Sequence, residues 1–141
     1  MNLDASCTAN RFFKFKEFLV SKQYPNVARE MDLNEFERHR IQFWCQCCGD
    51  PWRLAQQSHP LVITSAKRVP RLNDLVGGSF DSDHLHCCAV DLCPRGMSAK
   101  DFFCSIIDME LPYRQLILYH DFVHWSINVP GRSYKREAII K

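Results

Sequence analysis

The stretch Ser82-Asp83-His84-Leu85-His86-Cys87-Cys88-Ala89-Val90-Asp91 decides how this chain is read. It sets a histidine and an aspartate seven positions apart, with a small alanine between them. Further on, Asp121-Phe122-Val123-His124 adds a second imidazole, with an acid three residues before it. Two imidazoles and one carboxylate make a three-ligand set for zinc that leaves the fourth position open to water, whereas a structural zinc is closed by four protein ligands. His84, Asp91 and His124 are therefore the candidate metal ligands. Taken singly, each has an ordinary alternative as a hydrogen-bonding residue of a strand or turn; the spaced set favours the metal.

Asp121 is placed to act as general base on a metal-bound water and then to deliver the proton to a leaving amine. Aspartate is also common in turns, and both descriptions can hold together. His120 and Glu110 are the competing bases. Arg68 carries a guanidinium that stays protonated and aims several donors at an oxyanion. It could steady a tetrahedral intermediate, grip a substrate carboxylate, or be a plain surface cation. Ser82 either hydrogen-bonds a substrate or shapes its turn. On a regular strand His86 and Cys88 would share the face of His84; a bend would pack them away from the metal, and packing is the expectation.

Length and composition set the frame. The chain of 141 residues is one domain's worth, expected to run over 1–141. A net charge of +2, with only a modest basic cluster at Arg132, Lys135 and Arg136, argues against a nucleic-acid partner. No apolar run nears the ~18 residues of a membrane span, and no secretory signal opens the sequence. The expectation is a monomer, cytoplasmic as synthesised, without a membrane partner. Eight cysteines without an export signal are expected as free thiols. The Cys45, Cys47, Cys48 group lacks a second pair and sits in a helical pattern, so it reads as buried apolar side chains.

Around the motif the pattern is mixed. Residues 12–19 read as a short amphipathic helix. Asn34 with Glu37 forms a capping box for a second helix, whose core face would use Phe36, Ile41, Phe43 and Trp44. Gly49-Asp50-Pro51 breaks that helix or restarts it. Residues 60–64 read as a strand, 70–76 as a helical turn ended by Gly77-Gly78, and 82–91 as two short extended pieces, the second a strand. Ser98 caps a helix to about Met109, and 114–119 with 123–129 make a β-hairpin. The fold class is α+β, a small antiparallel sheet flanked by helices.

These residues resemble those of the zinc murein-peptide peptidases, which comprise D-alanyl-D-alanine carboxypeptidases, dipeptidases and the L-alanyl-D-glutamate endopeptidases of phage endolysins, with a hedgehog-like fold. The family pattern S-x-H-x-x-G-x-A-x-D, then an acid, two residues and a histidine, stands here as Ser82, His84, Ala89, Asp91, Asp121 and His124. Ile63 to Pro70 resembles the family's I-T-S-G-Y-R-S-P element, and Val123-His124-Trp125-Ser126 its closing hairpin. The resemblance implies zinc on His84, Asp91 and His124, Asp121 as catalytic acid/base and Arg68 as the intermediate-stabilising cation. It also implies a peptidoglycan stem-peptide substrate in the bacterial cell wall, and a phage-type lysis or wall-entry enzyme. Cys87 stands where the family has glycine, Ala66 where it has glycine before Arg68, and Asp121 where many members have glutamate. A catalytically inactive zinc-binding relative, recognising murein or a protein, is the alternative, and a thiol-rich domain without metal is a third.

Overall fold

The computed structural model describes residues 9–141; Cys7 lies outside them. Five α-helical segments are α1 (Pro25–Ala28), α2 (Glu35–Trp44), α3 (Asp50–Ala55), α4 (Pro70–Leu75) and α5 (Ala99–Asp108). The strands are β1 (Leu61–Ser65), β2 (Ala89–Pro94), β3 (Gln115–Leu118), β4 (Val123–Ser126) and β5 (Glu137–Ile140). They form one sheet in the order β1-β2-β4-β3-β5. The α+β class holds, with one correction to the sheet. β1, β2, β4 and β3 pair antiparallel, but β5 joins β3 in parallel, so the sheet is mixed. β5 escapes sequence reading because Glu137-Ala138-Ile139-Ile140 is short and has no polar–apolar alternation.

Side-chain alternation divides the sheet into two faces. Val90 and Leu92 of β2, Leu116 and Leu118 of β3, and Val123 and Trp125 of β4 enter one apolar cluster. The residues between them, Asp91, Ile117 and His124, take the other face. α5 covers the apolar face with Phe102 and Ile106, both buried. Ser98 caps it by accepting a hydrogen bond from the Asp101 amide. Edge-to-face aromatic contacts tie the layers together, Trp44 against Trp125 at 5.5 Å and Trp52 against Phe102 at 4.8 Å. Each such pair adds about 0.5–1.5 kcal/mol beyond the area it buries.

The Asn34–Glu37 capping box opens α2 as its sequence indicates. The core stripe, however, is Ile41, Trp44, Cys45 and Cys48; Phe36 and Phe43 are exposed, and the Phe36 ring lies under the Arg40 guanidinium instead. Spacings of three and four from Ile41 define that stripe, and both phenylalanines fall off it. The helix neither breaks nor restarts at Gly49-Asp50-Pro51. It widens into a π turn over Cys45–Gly49, where the Asp50 amide reaches back to the Cys45 carbonyl, and runs on as α3. Pro51 contributes no N–H, which loosens the ladder there. The Asp50 carboxylate receives the Arg11 and Phe12 amides. That leaves only a 3-10 turn, Phe15–Phe18, of the helix expected at 12–19.

The first half of 82–91 is also not extended. Asp83–His86 forms a 3-10 turn, capped by the Ser82 hydroxyl on the His84 amide and closed by Cys87 in the left-handed region at φ 54°. A non-glycine residue there is held against a cost of about 1–2 kcal/mol. Cys87 tolerates it with a buried, unbranched side chain, its thiol 3.8 Å from the Glu37 carboxylate. All seven described cysteines are free, and burial pushes the Cys87 and Cys88 thiols up to about 12, so both stay protonated at neutral pH. A β-branched side chain is a severe outlier at positive φ. Cys87→Val should therefore unfold at lower urea than Cys87→Gly, by roughly 1–2 kcal/mol; equal midpoints would show that the corner carries no strain.

Candidate metal centre

The β2–β4 register sets Asp91 directly opposite His124, and both lie on the face turned away from the apolar cluster. His84 comes from the 3-10 turn before β2, and the end of β1 fixes it twice. Its Nδ1 lies 2.6 Å from the Ala66 carbonyl, and its own carbonyl accepts the Arg68 amide at 3.2 Å. His84 Nε2 is 3.1 Å and His124 Nδ1 2.9 Å from the same oxygen, Oδ1 of Asp91. One ligand atom from each of the three residues lies within 4.8 Å of the others, and all three residues are buried.

The donor chemistry fits a cation. A carbonyl only accepts, so His84 Nδ1 must carry the proton, and the neutral ring then turns a bare Nε2 lone pair toward Asp91. Burial lowers the His84 pKa and keeps the ring neutral. Burial works to raise the Asp91 carboxyl, but positive charge at the two imidazoles outweighs it and holds it well below the usual carboxylate range; with His84 neutral, a cation seated between them would supply that charge. Two acceptors thus face each other across 3.1 Å, and His124 Nε2 is buried with no hydrogen-bond partner among the described residues. Ligands bound tetrahedrally at ~2.1 Å sit about 3.4 Å apart, close to the separations here.

These residues floor a cleft of about 990 Å³, which Arg68, Ser82 and Asp121 also line. All six sequence-nominated residues therefore meet in one place. Asp121 is exposed at the β3–β4 turn, and among the described residues it has no hydrogen-bond or ion-pair partner. His120 and Glu110, the competing bases, do not line the cleft. His86 turns outward toward Asp81, and the Cys88 thiol donates to the Asp83 carbonyl, so both pack away from the three ligands.

Arg68 reaches Asp91 Oδ2 at 3.4 Å through Nη2 and Asn73 Oδ1 at 3.3 Å through Nη1. Asn73 is buried and donates to the Ser79 carbonyl, linking Arg68 to the loop that carries Ser82. Gly78 makes that link possible, since a Cβ built there would lie 2.2 Å from Asn73 Oδ1 and 2.9 Å from Arg68 Nη1. On the other side, Asp83 is a buried carboxylate bonded to Arg114 at 2.8 Å and Arg132 at 2.5 Å. Burial would raise its pKa, but the two guanidiniums outweigh it and hold it below the ordinary value. This pair clamps the His84 turn to the start of β3. Sequence reasoning gave no role to Asn73, Gly78, Asp83 or Arg114; Asn73 and Gly78 lie in stretches that share the family resemblance and Asp83 beside the motif, while Arg114 had no signal to offer.

The Peptidase M15 family model matches residues 46–126, more than half of the chain and all of the site from Arg68 to His124. The chain belongs to the peptidase M15 family. No curated protein matches it. Family membership points to a peptidase, and M15 peptidases are typically metal-dependent, in accord with the His84–Asp91–His124 cluster.

Two substitutions probe how this M15 site is held. Gly78→Ala should lower stability by about 1–3 kcal/mol through overpacking on Asn73; an unchanged melting temperature would mean the loop shifts freely. Asp83→Asn leaves the buried Arg114 guanidinium facing no charge, Arg132 keeping only Asp81, and should cost about 3–5 kcal/mol in urea unfolding, while a loss below ~1 kcal/mol would show the clamp to be superficial.

Proposed function

We propose that this chain is a zinc metallopeptidase that hydrolyses an amide bond in peptidoglycan stem peptides. The observation that carries the reading is the convergence of His84 Nε2, His124 Nδ1 and the Asp91 carboxylate at the floor of an open cleft. Family membership supports peptidase chemistry there, and the sequence resemblance supports the murein substrate. Zinc held by those three side chains would supply Lewis acidity to a water and to the scissile carbonyl.

The protein's own groups do the rest. Asp121, exposed and without an ion-pair partner among the described residues, takes the proton of the attacking water and returns it to the departing amine. Arg68 offers guanidinium donors to the oxyanion, oriented by Asp91 and Asn73. The Ser82 oxygen already accepts the His84 amide, which leaves its hydroxyl proton to donate to the substrate. The bacterial cell wall is the site of action in this reading.

Asp121→Ala should retain one zinc per chain yet lose about 10²–10⁴-fold in the release of new amino groups from purified sacculi. His84→Ala should lose the metal itself. Mass spectrometry of the released muropeptides identifies the bond cut. A wild-type protein that holds zinc but frees no amine from any murein would replace the enzyme with a recognition module.

A further inference from the structure

The charges around the cleft are unevenly matched. Four acids line it, and three are already engaged: Asp81 and Asp83 by Arg132, Asp83 also by Arg114, and Asp91 by Arg68 and the two histidines. Each of the three arginines lining the cleft already has a carboxylate partner. Three lysines also line the cleft, Lys22, Lys135 and Lys141. Among the described residues, no carboxylate pairs with any of them. The Lys141 ammonium lies only over the Tyr119 ring, 5.6 Å from its centre.

Their places in the sheet give them a direction. β5 is two strands from β4, which carries His124, and strands lie about 4.8 Å apart. Lys135 and Lys141 bracket β5, roughly 10 Å across the sheet from that ligand's strand. On the opposite wall, Ser21 bridges to Ser65 of β1, whose partner is Asp91 of β2, and the Lys22 amide bonds to the Thr64 carbonyl. That wall too stands about two strand spacings from the metal ligands. An extended peptide advances about 3.4 Å per residue, so each lysine wall would meet a group two to three residues from the bond over the metal centre.

We propose that Lys22 on one wall and Lys135 with Lys141 on the other form carboxylate subsites, which select peptides bearing free carboxylates on both sides of the scissile bond over the same peptides amidated. The inference rests on the peptidase reading and specifies its substrate class. Unpaired cations facing a partly enclosed cleft attract an anionic ligand and repel a cationic one. The three paired acids add little opposing charge, and Asp121 stands alone against the three lysines.

The test compares two fluorescently labelled stem peptides of one sequence, one with free side carboxylates and one with them amidated. Binding is read by anisotropy and cleavage by chromatography, both on zinc-loaded protein. The acid peptide should bind about tenfold more tightly at low salt, with the preference collapsing at 0.5 M salt, as expected for roughly threefold per exposed contact. Lys135→Gln with Lys141→Gln should remove most of the preference on one wall, raising KM for the acid peptide while leaving kcat intact. Lys22→Gln should act separately. Equal binding and equal cleavage of the two peptides would overturn the subsites and leave the peptidase standing. Preferential binding without cleavage of either would keep the subsites and remove the peptidase.

Discussion

A single buried carboxylate organises this molecule. Asp91 sits mid-strand in β2, where one residue's slip in register would turn it into the apolar cluster beside Val90 and Leu92. An ionised carboxylate in that position is tolerated only when its lone pairs are occupied. His124 and Arg68 occupy them from different parts of the chain, and the bare His84 lone pair beside them leaves the remaining place for a cation. The register of β2 with β4, the turn before β2 and the exit from β1 are therefore fixed by one anion as much as by burial.

Around that anion, the supports are arranged in two directions. On one side Arg68 passes its orientation through Asn73 to the Gly78–Ser79 loop; on the other, Asp83 locks the histidine turn to Arg114 and Arg132. Both supports act through hydrogen bonds and ion pairs, whose geometry a shift of a few tenths of an ångström would weaken. The site is rigid where it touches the sheet and polar where it meets the loops. Rigid elements are where a metal constellation is held most accurately.

Much of this was legible in the sequence, for identifiable reasons. Capping residues and strand alternation are local signals, so α2, α5, β1 and the β3–β4 hairpin could be read directly, and the spaced histidines and aspartates marked four of the six nominated residues that line the cleft. What escaped depends on distant partners. Asp50 gives its carboxylate to the Arg11 and Phe12 amides, which undoes the helix expected there. β5 has no pattern of its own and exists because β3 offers a free edge. Arg114 reads as a strand-end cation until Asp83 is found against it. The left-handed corner at Cys87 is filled by a residue type that does not itself signal it; the hint lay in the glycine that the family pattern has at that position.

The widened turn at Cys45–Gly49 has a consequence for how the chain tolerates changes in length. A π turn holds one residue more than an α-helix needs to span the same rise. Between Trp44, which packs on Trp125, and Trp52, which packs on Phe102, this long helix therefore carries a spare residue. A single deletion within the turn would tighten it to regular α-helix while both indoles kept their bearings on the core, whereas the same deletion in α2 or α3 would swing one of them about 100° around the axis.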